Sequence, residues 1–190
     1  MNKIKKRTLF ILVSVLLFAC GNKKVYNGDS MMNYPDMVLI LKENLQPYQK
    51  DPFTFKLITI ENGKKDSAFL KAKEVDWESL KSPFLKANVF QKKLDKHYKI
   101  DVLTDTLYNQ ITMLLTATEP SDITSTMSIT ARSADNKILS VYAETRDAGF
   151  LVSTEYKLLY VNGRTLQVQE VKKYPFMDAK RKVQTLTFLN

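Results

Sequence analysis

Apolar and polar side chains alternate along much of the chain from residue 98 onward, as they do in strands with one buried and one wet face. The clearest stretch is residues 123–132. One face there holds Ile123, Met127, Ile129 and Ala131, and the other holds Thr124, Thr126, Ser128, Thr130 and Arg132. Similar alternation predicts strands over residues 98–104, 110–118, 138–145, 153–161, 164–171 and 183–189. Short links between them, such as Asn162-Gly163, favour antiparallel neighbours.

A short helix is predicted ahead of these strands, over residues 36–46. Asp36 can cap its first turn, and Pro47 ends it. The apolar face is predicted to hold Met37, Val38, Leu41 and Leu45.

A hairpin and a second helix follow. Segments 53–60 and 66–72 flank Asn62-Gly63, a pair that tolerates the positive φ angles of a tight turn. The second helix is predicted to begin at Asp76, and Pro83 either kinks it or starts a separate turn. We therefore expect an α+β fold: a single twisted antiparallel meander sheet that could curl into a partial barrel, with two short N-terminal helices packed on one face.

The first residues have the layout of an export signal. Four cations and no acid precede the apolar run of residues 8–19. That run has 12 residues, whereas a membrane-spanning helix needs about 20.

The run ends in Leu17-Phe18-Ala19-Cys20, which resembles the bacterial lipobox. The resemblance implies cleavage before Cys20, a diacylglycerol thioether on its sulfur, and stable attachment to one membrane leaflet. We accordingly divide the chain into a lipoprotein signal peptide (1–19), a lipid anchor and tether (20–35) and a globular domain (36–190). Gly21 after the cysteine favours the outer membrane over the inner one. The alternatives are an ordinary secretory signal with an incidental cysteine, or an uncleaved anchor.

Charge and cysteine content narrow the functional classes. The chain has 29 basic and 20 acidic residues, and removing the four leader cations leaves 25 against 20, a net charge of +5. These charges are interspersed, which does not support a nucleic-acid partner. Cys20 is the only cysteine, so no disulfide can form within the chain and the core alone must stabilise the domain.

Candidate catalytic groups are few. His97 is the only histidine, near Asp95 and Asp101, and we interpret it as a solvated loop residue. Carboxylate pairs such as Asp76 with Glu78, or Asp101 with Asp105, are better explained by helix capping and turns. The sequence indicates no catalytic residue, no metal ligand and no cofactor.

Aromatic residues are the other candidates for binding. Tyr142, Tyr156, Tyr160 and Tyr174 fall in or beside late strands, where they could pack, line a groove or contact glycan. Trp77 is predicted to anchor a helix to the sheet.

Residues 75–102, VDWESLKSPFLKANVFQKKLDKHYKIDV, resemble a segment of uncharacterised lipoproteins of Gram-negative bacteria. The resemblance is structural and implies no activity. We expect a non-enzymatic envelope lipoprotein that binds a partner protein, an envelope polymer or an apolar ligand. An apolar cavity beneath the helices would favour an apolar ligand. The alternative is a carboxylate-dependent hydrolase of envelope or glycan substrates, which requires two carboxyl groups within about 10 Å in one pocket. Oligomeric state is left open.

Overall fold

The computed structural model describes residues 36–89 and 97–189, so Cys20, the tether and Asp95 lie outside the described residues. Two α-helices, two short 3-10 turns and nine strands make up this part of the chain. The helices are α1 (Met37–Leu45) and α2 (Trp77–Lys86). The strands are β1 (Thr54–Glu61), β2 (Lys64–Lys71), β3 (Tyr98–Asp105), β4 (Gln110–Ala117), β5 (Thr124–Arg132), β6 (Ile138–Ala148), β7 (Ser153–Val161), β8 (Thr165–Tyr174) and β9 (Met177–Leu189).

All nine strands form one antiparallel sheet in the order β2-β1-β9-β8-β7-β6-β5-β4-β3. Strands β3 to β9 are a meander, because each pairs with the next in sequence. The early hairpin joins by pairing β1 with β9. Strands β2 and β3 are the two edges, so the sheet is not closed. The predicted antiparallel sheet with two short helices is confirmed at this level.

Both helices lie on one face of the sheet, and the core forms between the helices and the sheet. Helix α2 contacts β7 and β8, and it also packs against α1. Residues from helices and central strands are fully excluded from solvent at this interface: Phe84, Leu41, Leu45, Phe55, Leu115, Leu158, Leu166 and Leu186. A cavity large enough for an apolar ligand would expose its lining side chains, and these are at most 1% exposed. This layer is therefore filled by side chains at these positions.

Helix α1 is rotated relative to its predicted face. Ile40 is buried, at 3% exposure, whereas Val38 is 42% exposed, so the assignment of Val38 to the core face was wrong. The two residues lie at opposite margins of the apolar stripe, and only the position of the sheet decides which one is covered. Helix α2 continues through Pro83, which is buried.

A β-bulge changes the predicted faces of β5. The register with β6 shifts between Thr124 and Thr126, so Thr124 lies on the same face as Met127. Thr124 is buried and its hydroxyl donates to the carbonyl of Ala87 at 3.0 Å, while Ile123 is 45% exposed. The strict alternation predicted for residues 123–132 was wrong here, because an extra residue in one strand exchanges the two faces.

The sheet has two ends that differ in their connections. At one end lie the β1–β2, β4–β5, β6–β7 and β8–β9 connections, and we call it the hairpin-tip end. The β3–β4, β5–β6 and β7–β8 connections lie at the opposite end. Within the described ranges, no helix is long and apolar enough to cross a membrane.

Candidate functional site

A polar pocket lies where the first turns of α2 meet strands β7 to β9. Tyr156, Glu170 and Lys182 are direct cross-strand neighbours on the face that carries the helices. The Tyr156 hydroxyl donates to Glu170 Oε1 at 2.8 Å, and Lys172 Nζ lies 3.1 Å from the same oxygen. This Tyr–Glu–Lys cluster is the floor of what we call the Glu170 pocket.

Helix α2 supplies the other wall. Ser79, Ser82 and Pro83 face the strands across a volume of about 300 Å³, the lower end of the range for ligand sites. Gln184 and Lys182 complete the polar lining. Ser79 is held in place because its backbone N–H donates to the Asp76 carboxylate, the N-cap of the helix, at 3.1 Å.

The electrostatics favour binding of an anionic or hydroxyl-rich group. Burial, and then the hydrogen bond to Glu170, raise the pKa of Tyr156 to about 12, so its hydroxyl stays protonated and keeps donating to the carboxylate. Lys172 offsets the charge of Glu170, which leaves Lys182 as the net positive group of the lining. Glu170 is the one carboxylate among the described residues that line the pocket, whereas a glycosidase pocket requires two.

A second Tyr–Glu–Lys cluster lies on the face of the sheet without helices. The Tyr142 hydroxyl donates a hydrogen bond to Glu144, and Lys157 Nζ lies 3.1 Å from Glu144 Oε1. The Tyr142 hydrogen bond, followed by that from Lys157, lowers the pKa of Glu144. Burial, and then the bond to Glu144, raise the pKa of Tyr142 to about 12. Tyr142 and Glu144 are both partly exposed on this face.

The tyrosines do not share one groove. Only Tyr156 lines the pocket, since Tyr142 lies on the opposite face. Tyr160 is fully buried and donates to the Asn162 side chain at 3.1 Å. Tyr174 lies on the β8–β9 hairpin, with Lys180 Nζ 5.7 Å from its ring centre. Trp77 joins helix to sheet as predicted, with its ring edge-on to Phe55 at 5.3 Å.

His97 directly precedes β3, and its side chain is 43% exposed to solvent. Its Nδ1 is 3.2 Å from Oδ1 of Asp122, a residue of the β4–β5 connection whose side chain is only 5% exposed. Thr118 fixes the His97 backbone, because its N–H and hydroxyl both donate to the His97 carbonyl. Burial, and then the charge of Asp122, raise the pKa of neighbouring Tyr98 to about 12. Across residues 36–89 and 97–189, no three His, Cys, Asp or Glu side chains converge as metal ligands.

Two of the suspected carboxylates, Asp76 and Asp105, have the capping and turn roles that the sequence suggested. Asp76 caps α2 and Glu78 pairs with Lys81 at 2.6 Å. Asp105 accepts from the backbone N–H groups of the β3–β4 turn, and Asp101 pairs with Lys99 at 3.0 Å. None of these four lines the Glu170 pocket.

Sequence reasoning identified Tyr156 but missed Glu170, Lys172 and Lys182 as its partners. The sequence shows charged residues in β8 and β9, but which of them meet depends on the register between the strands. No protein-family model, curated protein or solved structure matches this chain.

Proposed function

We propose that this chain is a lipid-anchored envelope lipoprotein of the binding class, whose domain recognises an acidic glycan at the Glu170 pocket. The anchor is the diacylglycerol thioether on Cys20, and the outer membrane is its expected location. Of the three partner classes that the sequence left open, we thus favour an envelope polymer over a partner protein or an apolar ligand. The proposal includes no catalytic residue and no cofactor.

One observation supports the choice of ligand: cationic, hydroxyl and amide groups converge on a small polar volume. Two lysines line the pocket, and Lys172 is already paired with Glu170. Lys182 is therefore the lysine that can pair with a sugar carboxylate. The hydroxyls of Ser79 and Ser82 and the amide of Gln184 can bond sugar hydroxyls. An apolar ligand would have to desolvate these groups without replacing their hydrogen bonds.

The hydrolase alternative gains no support from this pocket. Hydrolysis of a glycosidic bond uses an acid and a second carboxylate on the two sides of the bond. Glu170 is engaged by Tyr156 and Lys172, and residues 36–89 and 97–189 contribute no second carboxylate to the lining.

Calorimetric titration of the detergent-solubilised lipoprotein tests the proposal. The probes are an acidic oligosaccharide, oligogalacturonate, and a neutral oligosaccharide of equal length. We expect binding of the acidic probe alone, weakened about fivefold or more by Lys182→Gln and by added salt. Lys137→Gln is the control, since it removes an equal charge from an exposed turn at the opposite end of the sheet. Equal binding of both oligosaccharides, or no effect of Lys182→Gln, would refute the proposed ligand.

A further inference from the structure

Two neighbouring hairpins at the hairpin-tip end present phenylalanine to solvent. Phe150 in the β6–β7 connection is 100% exposed, and Phe176 in the β8–β9 turn is 106% exposed. Leu151 and Met177 beside them are 65% and 64% exposed. The pairing of β7 with β8 extends as far as Ser153 and Lys173, so both tips project from the hairpin-tip end of the sheet. Two strand spacings, about 10 Å, separate the hairpins.

Phe176 occupies a backbone position to which it is poorly suited. Its φ is +63°, and the turn joins the paired residues Tyr174 and Met177 through Pro175 and Phe176. Proline followed by a residue of positive φ is the pattern of a type II turn, where Gly or Asn is preferred. An exposed phenylalanine therefore adds nothing to the stability of this turn, which points to a contact outside the domain.

Basic residues surround the Phe176 tip. Residues 172–182, KKYPFMDAKRK, contain five cations and one acid. Lys172 and Lys173 pair with Glu170 and Glu155, whereas Lys180 and Arg181 make no salt bridge with any carboxylate of the described residues. Lys64 and Lys65 follow the adjacent β1–β2 turn and are exposed. An open concavity between that turn and the β8–β9 hairpin is lined by Phe176, Met177, Lys180 and Arg181 among others.

The spacing between apolar tip and cations suits a lipid surface. Lys180 lies four residues from Phe176 along β9, about 13 Å at the rise of a strand. Interfacial apolar groups penetrate about 5–10 Å into the boundary between headgroups and acyl chains. With Phe176 at that depth, the ammonium and guanidinium groups would lie beside lipid phosphates.

The chain also enters the domain at this end. The Asp36 carboxylate accepts a hydrogen bond from the Asn88 side chain at 2.7 Å. The carbonyl of Ala87, the residue before Asn88, accepts from the hydroxyl of Thr124, the first residue of β5. The end of α1 lies instead near the β7–β8 turn, where the Asn44 side chain meets Asn162. A lipid on Cys20, which the proposed function supplies, would therefore be attached through the same end that carries the aromatic tips.

We propose that the hairpin-tip end docks on the surface of an anionic lipid bilayer, with Phe150 and Phe176 in the interface and the surrounding cations at its phosphates. Docking would hold the sheet upright on the membrane. The Glu170 pocket would then open just above the headgroups, because Lys172 and Lys182 lie directly above the β8–β9 tip.

The opposite end supplies a matched control. Leu107 and Tyr108 are 81% and 67% exposed in the β3–β4 turn, so that tip is also apolar. Asp105 caps it, and residues 103–112 contain no cation. An anionic surface should attract the basic tips and not this one.

Quenching of tryptophan by brominated lipids tests the orientation. The lipoprotein is reconstituted in phosphatidylcholine vesicles with or without phosphatidylglycerol, and Phe176→Trp, Phe150→Trp and Leu107→Trp are compared with the unsubstituted chain, whose Trp77 gives the baseline. We expect strong quenching at positions 150 and 176 that requires phosphatidylglycerol and falls with salt, and baseline quenching at position 107. Adding Phe176→Asn to Phe150→Trp should lower the docking equilibrium about tenfold, since it removes an apolar anchor while suiting the positive φ.

Equal quenching at positions 107 and 176 would overturn the proposal, because it would show a domain that reorients freely on its tether. Baseline quenching at all three positions would do so as well and would favour a protein surface as the partner of the tips. Loss of the lipid anchor is distinguished by the protein leaving the vesicles altogether. Failure of the glycan proposal appears separately, in the oligosaccharide titration.

Discussion

Truncation of Phe84 tests whether α2 is held on the sheet by its buried face. Phe84 has no solvent exposure and belongs to the core cluster between helices and strands. Replacing a buried phenylalanine by alanine removes its transfer free energy and leaves a cavity, which together cost about 3–5 kcal/mol. For a domain of this size, each kcal/mol lowers Tm by roughly 2–4 °C. Phe84→Ala should therefore lower Tm by about 6–20 °C.

The next residue on the helix is the control. Leu85 is 38% exposed, and alanine favours helix as much as leucine does, so Leu85→Ala should cost about 1 kcal/mol or less. Urea unfolding followed by Trp77 fluorescence measures both variants, because the Trp77 ring packs on Phe55 at the sheet. The midpoint should shift for Phe84→Ala at an unchanged slope. Equal shifts for the two variants would refute the assigned orientation of α2.

Three further predictions follow from particular contacts. In α1, Ile40→Ala should lower the free energy of unfolding in urea by about 2–4 kcal/mol, and Val38→Ala should lower it by less than about 1 kcal/mol. The reverse order would mean that Val38 faces the core, as the sequence pattern predicted. Because the pKa of Tyr156 is raised to about 12, an unfolded chain loses this proton near pH 10 while the folded one keeps it, so stability present below pH 10 should fall between pH 10 and 12. Unfolding midpoints across that range should fall less steeply for Tyr156→Phe than for the parent, with exposed Tyr108→Phe as the control; identical slopes would contradict the assignment. Phe176→Asn should leave stability unchanged or raise it by up to about 1 kcal/mol, because Asn tolerates the positive φ, and a clear loss would mean that Phe176 supports the fold.

Period-two alternation was sufficient to predict the strands, because it depends only on one face of each being buried. It failed at β5, where a bulge beside Ser125 brings Thr124 inward. It also ended β8 too early, at residue 171, whereas the strand continues to Tyr174. It began β9 too late, at residue 183, whereas the strand begins at Met177. That part of the hairpin projects beyond the core and has no buried face, so no apolar alternation marks it.

The contacts of the site could not be predicted from local sequence for a related reason. Glu170 meets Tyr156 and Lys172 through strand register and side-chain direction, and Asp122 meets His97 across 25 positions of the chain. Capping was predictable because it is local: Asp36 and Asp76 accept from backbone N–H groups two and three residues ahead. Interactions within one turn were thus accessible to sequence reasoning, and interactions between strands were not.

An intact-mass measurement on the mature protein isolated from its own envelope tests the lipid anchor directly. We expect a chain that begins at Cys20 and carries a diacylglycerol thioether, and a Cys20→Ser variant that lacks it. A free thiol at Cys20, or a mature chain that begins elsewhere, would contradict the anchor and with it the proposed place of the domain on a membrane.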